Sequence, residues 1–320
     1  MQRYRIVEKI GEGSFGTVLK ALSPKNQIVA IKEIAGCNPF ERERVQEEVE
    51  IMRRFDHPNL VHVYESFYDQ EQQIMYIVME YCETDLLQFY RKRQSELKPL
   101  EIIYIFKEVV QAFIALNEQG IIHRDLKPEN VLVTKQGLVK IADFGCARKL
   151  QSGSLERIIM SFDKGTATYA SPEILKALPY SSKCDVWSAG CMLFLLVTSR
   201  HPFLEGNVSK TIKMIEEKTI KKEIALPHED QMDPSIRYAI RRCLMYSELE
   251  RASWREFSLC RLFSEKIPKV KSYLDYLKNI SNIANWLSQT FWNQRKQLGL
   301  NDGRDEVFMY FVIKVQCSVL

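Results

Sequence analysis

The sequence predicts an α+β fold in which strands and helices are segregated along the chain. Three features carry this. Up to about residue 82, short segments of apolar and β-branched residues are separated by turn-like clusters such as GEGSFG and SPKN. From residue 100 to 118, and again from about 173, apolar residues follow the longer rhythm of helices. No internal repeat or low-complexity tract interrupts either part.

In order, YRIVEKI and TVLKAL read as strands flanking GEGSFG, and QIVAIKEI as a third after SPKN. Residues 40–55 predict a helix with Val45, Val49 and Met52 on one face, stopped by HPN at 57–59. LVHVYESFYD and IMYIVMEY predict two more strands. LEIIYIFKEVVQAFIALNE predicts a strongly apolar helix ending at Gly120, and short strands VLV and LVKIAD follow. Beyond residue 173 helices dominate.

With 46% hydrophobic and 27% charged residues, the chain of 320 has the composition of a folded globular protein rather than a disordered one. A net charge of +4 is mild for this length, and no long like-charge block points to nucleic acid. The eight Cys form no C-x-x-C pair and no zinc-like spacing. MQRYRIVEKI lacks the apolar core of a secretory signal, and AGCMLFLLV (189–197) is about half a membrane span. The expectation is a cytoplasmic protein with reduced thiols.

Four motifs carry chemistry. GEGSFGTV supplies Gly11, Gly13 and Gly16 between strands, as in a hairpin flap whose backbone approaches phosphates, although an ordinary glycine turn fits equally well alone. In VAIK, Lys32 ends an apolar strand; taken singly, a snorkelling edge residue explains it. IIHRDLKPENVLV places six polar or charged residues between two apolar runs, a costly arrangement unless they are partnered. There Asp125 is a candidate base, Asn130 offers an amide oxygen to a hard cation, and Lys127 can neutralise a transferring phosphoryl. In ADFGCA, Asp143 ends a strand and can hold Mg²⁺, or simply make a turn.

The order of glycine loop, Lys, H-R-D-L-K-P-E-N, D-F-G, then S-P-E (171–173) and D-V-W-S-A-G (185–190), resembles the eukaryotic protein kinase family over residues 4–262. The resemblance implies a bilobal fold, with an N-lobe at about 4–82, a C-lobe at about 83–262, and ATP with Mg²⁺ between them. Gly11, Gly13 and Gly16, with Glu12 in the same loop, would cover the phosphates. Val18 and Ala30 would lie above the adenine and Leu132 below it. Lys32 would contact the α- and β-phosphates. Its partner by spacing to His57 would be Glu48, with Glu47 and Glu50 as neighbouring alternatives. Met79 resembles the gatekeeper and Glu80 to Cys82 the hinge. Asp85 would reach the ribose, although CETD is one residue shorter than the common C-x-G-G-D.

By the same resemblance, Asp125 is the base, Asn130 and Asp143 hold Mg²⁺, and Lys127 with Thr166 of G-T-x-x-Y marks a Ser/Thr type. Arg124 would form a pocket for a phosphorylated activation segment. The usual phosphosite position holds Phe162, so Ser161 is the regulatory candidate, or Asp163 supplies charge without phosphate. Glu173 would pair with Arg251. Leu195 stands where some kinases that prefer basic substrates carry Glu. YIVMEYCETDL and SKCDVWSAGCML are similar to NIMA-related and ULK-like kinases.

Residues 263–320 lie outside the resemblance. A three-four apolar stripe from Val270 to Phe291 predicts a helix that docks on the C-lobe or, failing that, self-associates. DEVFMYFVIKV reads as a strand. The terminal Cys317-Ser318-Val319-Leu320 fits a prenylation pattern, but its upstream segment is strand-like rather than polybasic, so no membrane contact is expected from it. The expected activity is ATP-dependent phosphorylation of Ser/Thr hydroxyls on protein substrates. The alternatives are a pseudokinase scaffold, disfavoured because Lys32, Asp125 and Asp143 are all present, and a small-molecule kinase, disfavoured by the S-P-E and G-T-x-x-Y segments.

Overall fold

The computed structural model describes residues 3–13, 16–36, 39–53, 55–92, 97–149, 168–203, 208–220, 224–227, 232–260 and 263. The chain divides into two compact units, residues 1–267 and 268–320. The helix and strand expected of the tail, and Cys317, lie outside the described residues.

The first unit begins with β1 (Arg5–Gly13), β2 (Gly16–Leu22) and β3 (Ile28–Ala35). Helix α1 (Pro39–Arg53) and strands β4 (Val63–Asp69) and β5 (Ile74–Glu80) follow. The strands form one antiparallel sheet in the order β1-β2-β3-β5-β4. Its two-residue period explains the alternation. Val29 and Ile31 join Ala21, Tyr76 and Val78 in one apolar cluster. The opposite face carries Val18, Ala30 and Lys32, with Lys32 paired to Val18 and Ala30 to Met79 in the register. The apolar face expected on α1 is observed: Val49 and Met52 are buried and Val45 packs beside them.

The helical part opens with β6 (Thr84–Asp85), α2 (Leu86–Arg91) and α3 (Pro99–Glu118). Pro99 fits the first turn of α3, where its missing N–H costs nothing, and Glu101 returns to the Lys98 N–H at 2.5 Å. Strand β7 (Ile121–Ile122), a 3-10 turn at Pro128–Asn130, β8 (Val131–Val133), β9 (Val139–Ile141) and β10 (Arg148–Lys149) bracket the polar cluster. They pair as β6-β8-β9 and β10-β7.

Then come α4 (Pro172–Leu175), α5 (Lys183–Thr198), α6 (Val208–Ile220), α7 (Pro234–Cys243) and α8 (Trp254–Ser258). The run AGCMLFLLV is apolar because α5 is buried on nearly every side. Gly190 permits this: a Cβ there would stand 2.6 Å from Cys243 Cβ on α7. No described helix is long and apolar enough to cross a membrane.

Candidate active site

The segment 121–133 resolves its charge by pointing polar groups in two directions. Backwards, Asp185 at the start of α5 is buried, and its carboxylate accepts the N–H groups of His123 (2.8 Å) and Arg124 (2.7 Å). Arg124 has φ +65°, a left-handed conformation that a non-glycine residue keeps only when its surroundings enforce it. Its Nε donates to the Cys146 carbonyl at 2.6 Å and its Nη1 to the Tyr180 hydroxyl at 2.9 Å. His123 lies at 5.0 Å edge-on to Phe144. A ring protonated at Nε2 satisfies both its bonds, donating to the Ala142 carbonyl (3.0 Å) and accepting from the Asp125 N–H (3.3 Å).

Forwards, the buried Asp125 carboxylate is held by two neighbours. Lys127 Nζ lies 2.8 and 3.1 Å from its two carboxylate oxygens, and Asn130 Nδ2 donates to Oδ2 at 2.9 Å and to the Asp125 carbonyl at 2.8 Å. That amide orientation leaves the Asn130 oxygen outside these bonds. Across the cleft, Lys32 Nζ meets Asp143 Oδ1 at 2.9 Å. Asp143 is also held at positive φ, +63°. Burial alone would raise its carboxyl, but the Lys32 ammonium, with smaller help from His123 and Lys127, holds it below the usual carboxylate range. An anionic Asp143 and a spare Asn130 amide oxygen are hard donors of the type Mg²⁺ takes.

The sheet roofs this group. Gly16 has φ +118°, and a Cβ on it would lie 2.0 Å from the Glu33 carbonyl oxygen, so the β2–β3 pairing requires glycine there. Gly11 differs: its Cβ would meet only Val18, at 3.7 Å, so packing leaves room beside it. Glu12 is engaged on the sheet surface with Lys9 at 2.6 Å. Gly13 lies at the β1–β2 turn.

Met79 and Cys82 are partly buried against the main core, as is Leu132 of β8. Glu80 pairs with Lys140 at 2.8 Å, tying the end of β5 to β9. Among the described residues, neither the N–H nor the C=O of Cys82 takes a backbone partner. Asp85, expected at a ribose, caps α2: its carboxylate accepts the Gln88 N–H at 2.8 Å and the Gln88 side-chain amide at 2.7 Å.

The side chains of Glu47 and Glu48, and all of Ser161 and Thr166, lie outside the described residues, so the expected Lys32–Glu48 pair and the Ser161 switch carry no geometry. The Glu173–Arg251 pair is present, bidentate at 2.6 and 3.0 Å. Sequence reasoning did not assign Asp185 or Tyr180. A signal for Asp185 was available, because a carboxylate in the first turn of an apolar helix demands a buried partner. Nothing marked Tyr180.

The protein kinase domain family matches residues 4–262. Serine/threonine-protein kinase 36 of Pongo abelii is 33% identical over 257 residues, covering 79% of this chain and 19% of that protein. Serine/threonine-protein kinase Nek1 of Mus musculus is 37% identical, covering 67% and 18%. Serine/threonine-protein kinase ATG1 of Debaryomyces hansenii is 32% identical, covering 79% and 33%. The chain therefore spans a third or less of these relatives' lengths. The looser likeness seen in YIVMEYCETDL and SKCDVWSAGCML is borne out by the last two. With its sheet, cleft and helical base in place and the family matched over most of its length, this chain belongs to the protein kinase family.

Proposed function

We propose that the chain transfers the γ-phosphoryl of ATP to Ser or Thr hydroxyls of protein substrates. The observation that carries this is that Lys127 and Asn130 hold Asp125, Lys32 holds Asp143, and Lys127 lies within electrostatic reach of Asp143, so the two groups adjoin. Asp125 is fixed by two donors as a carboxylate acceptor, so on this reading it orients an acceptor hydroxyl and takes its proton. Lys127 and Lys32 bring positive charge to where phosphate oxygens gather. Asn130 and Asp143 would hold Mg²⁺, which supplies charge neutralisation of the phosphates when bound. The space beside Gly11 and the free backbone groups of Cys82 support phosphates under the flap and adenine at the hinge. Asp85 is read as the ribose contact, its carboxylate also capping α2. Lys32 is read as a phosphate contact held by Glu48, and Thr166 as a partner of Asp125.

The same reading makes Arg124 a regulatory anchor and Ser161 its phosphorylated partner. It confines the chain's partners to nucleotide and protein, in the cytoplasm. The test is radiolabel transfer from Mg·ATP to a generic protein acceptor, comparing the full chain with Asp125→Asn. Transfer by wild type that the variant loses is expected; equal signal from both would overturn the enzymatic reading and leave a binding scaffold.

A further inference from the structure

The mouth of the cleft on the side of α2 carries a charge pattern that the reaction itself does not use. Arg91 and Lys92 end α2 and are exposed. That helix packs against the 3-10 turn of the Asp125 loop. Its last turn is tied to the end of α5 by Tyr90, whose hydroxyl lies 2.5 Å from Ser199 Oγ. Ser199 has φ +57°, which turns the chain sharply so that exposed Arg200 follows at once. Three cations thus border one rim. Among the described residues none of the three has a carboxylate within ion-pair distance; Lys92 reaches only the Gln88 amide, at 3.3 Å. Leu195, one turn back on α5, supplies no charge. Asp85 is occupied at the opposite end of α2.

The rim also touches the segment that leads into α4. Tyr169 anchors there through its carbonyl, which accepts from Ser188 Oγ on α5 at 2.8 Å. His201 packs edge-on to its ring at 4.8 Å. Arg91 and Glu129 both lie within electrostatic reach of the Tyr169 phenol, so one carboxylate opposes the cations. Exposed cations that outnumber the neighbouring carboxylate among the described residues attract an anionic ligand and repel a cationic one.

We infer that Arg91, Lys92 and Arg200 select protein substrates with acidic residues flanking the acceptor hydroxyl. This rests on the protein-kinase reading and narrows its substrate class. The exposed setting makes each contact modest and salt-sensitive, so the three together are expected to give roughly a tenfold preference at low ionic strength.

The experiment uses the full chain and three serine peptides differing only in flanking residues: Glu, Gln or Lys. In steady-state phosphorylation, kcat/KM should fall in that order, and the Glu-to-Lys ratio should shrink as salt rises. R91E/R200E should lower the Glu-to-Gln ratio and raise the Lys-to-Gln ratio. Fluorescence anisotropy with the labelled peptides reads the same order without turnover. Phosphorylation of all three peptides at one rate, or a Glu preference that survives R91E/R200E, would overturn the inference. Absence of transfer to any peptide, with anisotropy still ordered Glu, Gln, Lys, would instead refute the enzymatic reading and keep the acidic preference as a binding property.

Discussion

Two ion pairs in this molecule join similar groups and do opposite work. At the base of the helical part, Arg251 is 1% exposed and lies over the Trp187 ring. Its five N–H groups meet five acceptors: both Glu173 oxygens and the carbonyls of Lys183, Met245 and Tyr246. In the cleft, Lys32 reaches Asp143 through one oxygen, and the carboxylate's Oδ2 accepts no bond from the described residues. A saturated, enclosed pair fixes structure, because any ligand would have to break it. A pair with an open flank keeps charge available for something that arrives later. Glycines divide along the same line, Gly190 admitting a neighbouring helix and Gly11 leaving a gap.

This contrast can be broken by substitution, and the largest effect belongs to the cleft. Asp125→Asn should reduce phosphoryl transfer roughly 10²–10⁴-fold while the melting temperature stays near that of wild type. A large loss of stability would show that Asp125 belongs to the base rather than to the chemistry. Glu173→Ala should do the reverse, because it strands Arg251 with a buried, unpaired charge. Unfolding in urea should show a loss of about 3–5 kcal/mol, provided the protein still folds.

Acid separates the two regions next. Burial, aided by Lys218, lowers His201 to about 4. Its unfolded value is near 6.5, so between those pH values the unfolded chain binds a proton that the folded one does not. Stability should therefore fall as pH drops from about 6.5 to 4, by an order of 2–3 kcal/mol. His201→Gln should flatten that slope in melts at pH 7 and 5. Asp143, with its depressed carboxyl, contributes stability that is present above its unfolded value near 3.9 and lost only at more acid pH.

Smaller effects refine the comparison. Gly190→Ala drives a methyl into Cys243 and Leu244 and should cost about 1–3 kcal/mol by thermal melting, with little change in KM for ATP. Ser253→Ala should cost about 1 kcal/mol. Ser253 caps α8 by accepting the Glu256 N–H at 3.2 Å, far from the cleft. A larger change in activity than in stability for either variant would mean the two regions are coupled.

Much of this was legible in the residues themselves. The strands, α1 and α3 follow from period and punctuation, because burial on one face imposes its spacing on the chain. Asp125, Lys127 and Asn130 stood out because polar groups between apolar runs are costly, and Asp143 because it ends a strand, but their roles came from the resemblance to the protein kinase family. Only the fold could show that Asp185 clamps the His123 and Arg124 backbone, that Tyr180 and the Cys146 carbonyl hold the Arg124 side chain, or that Asp85 caps a helix. Those pairings join residues up to 62 positions apart, and a linear pattern carries no distance between them. The pattern sets which groups must find partners, since burial makes unpaired charge expensive; the packed structure decides which partner each one finds.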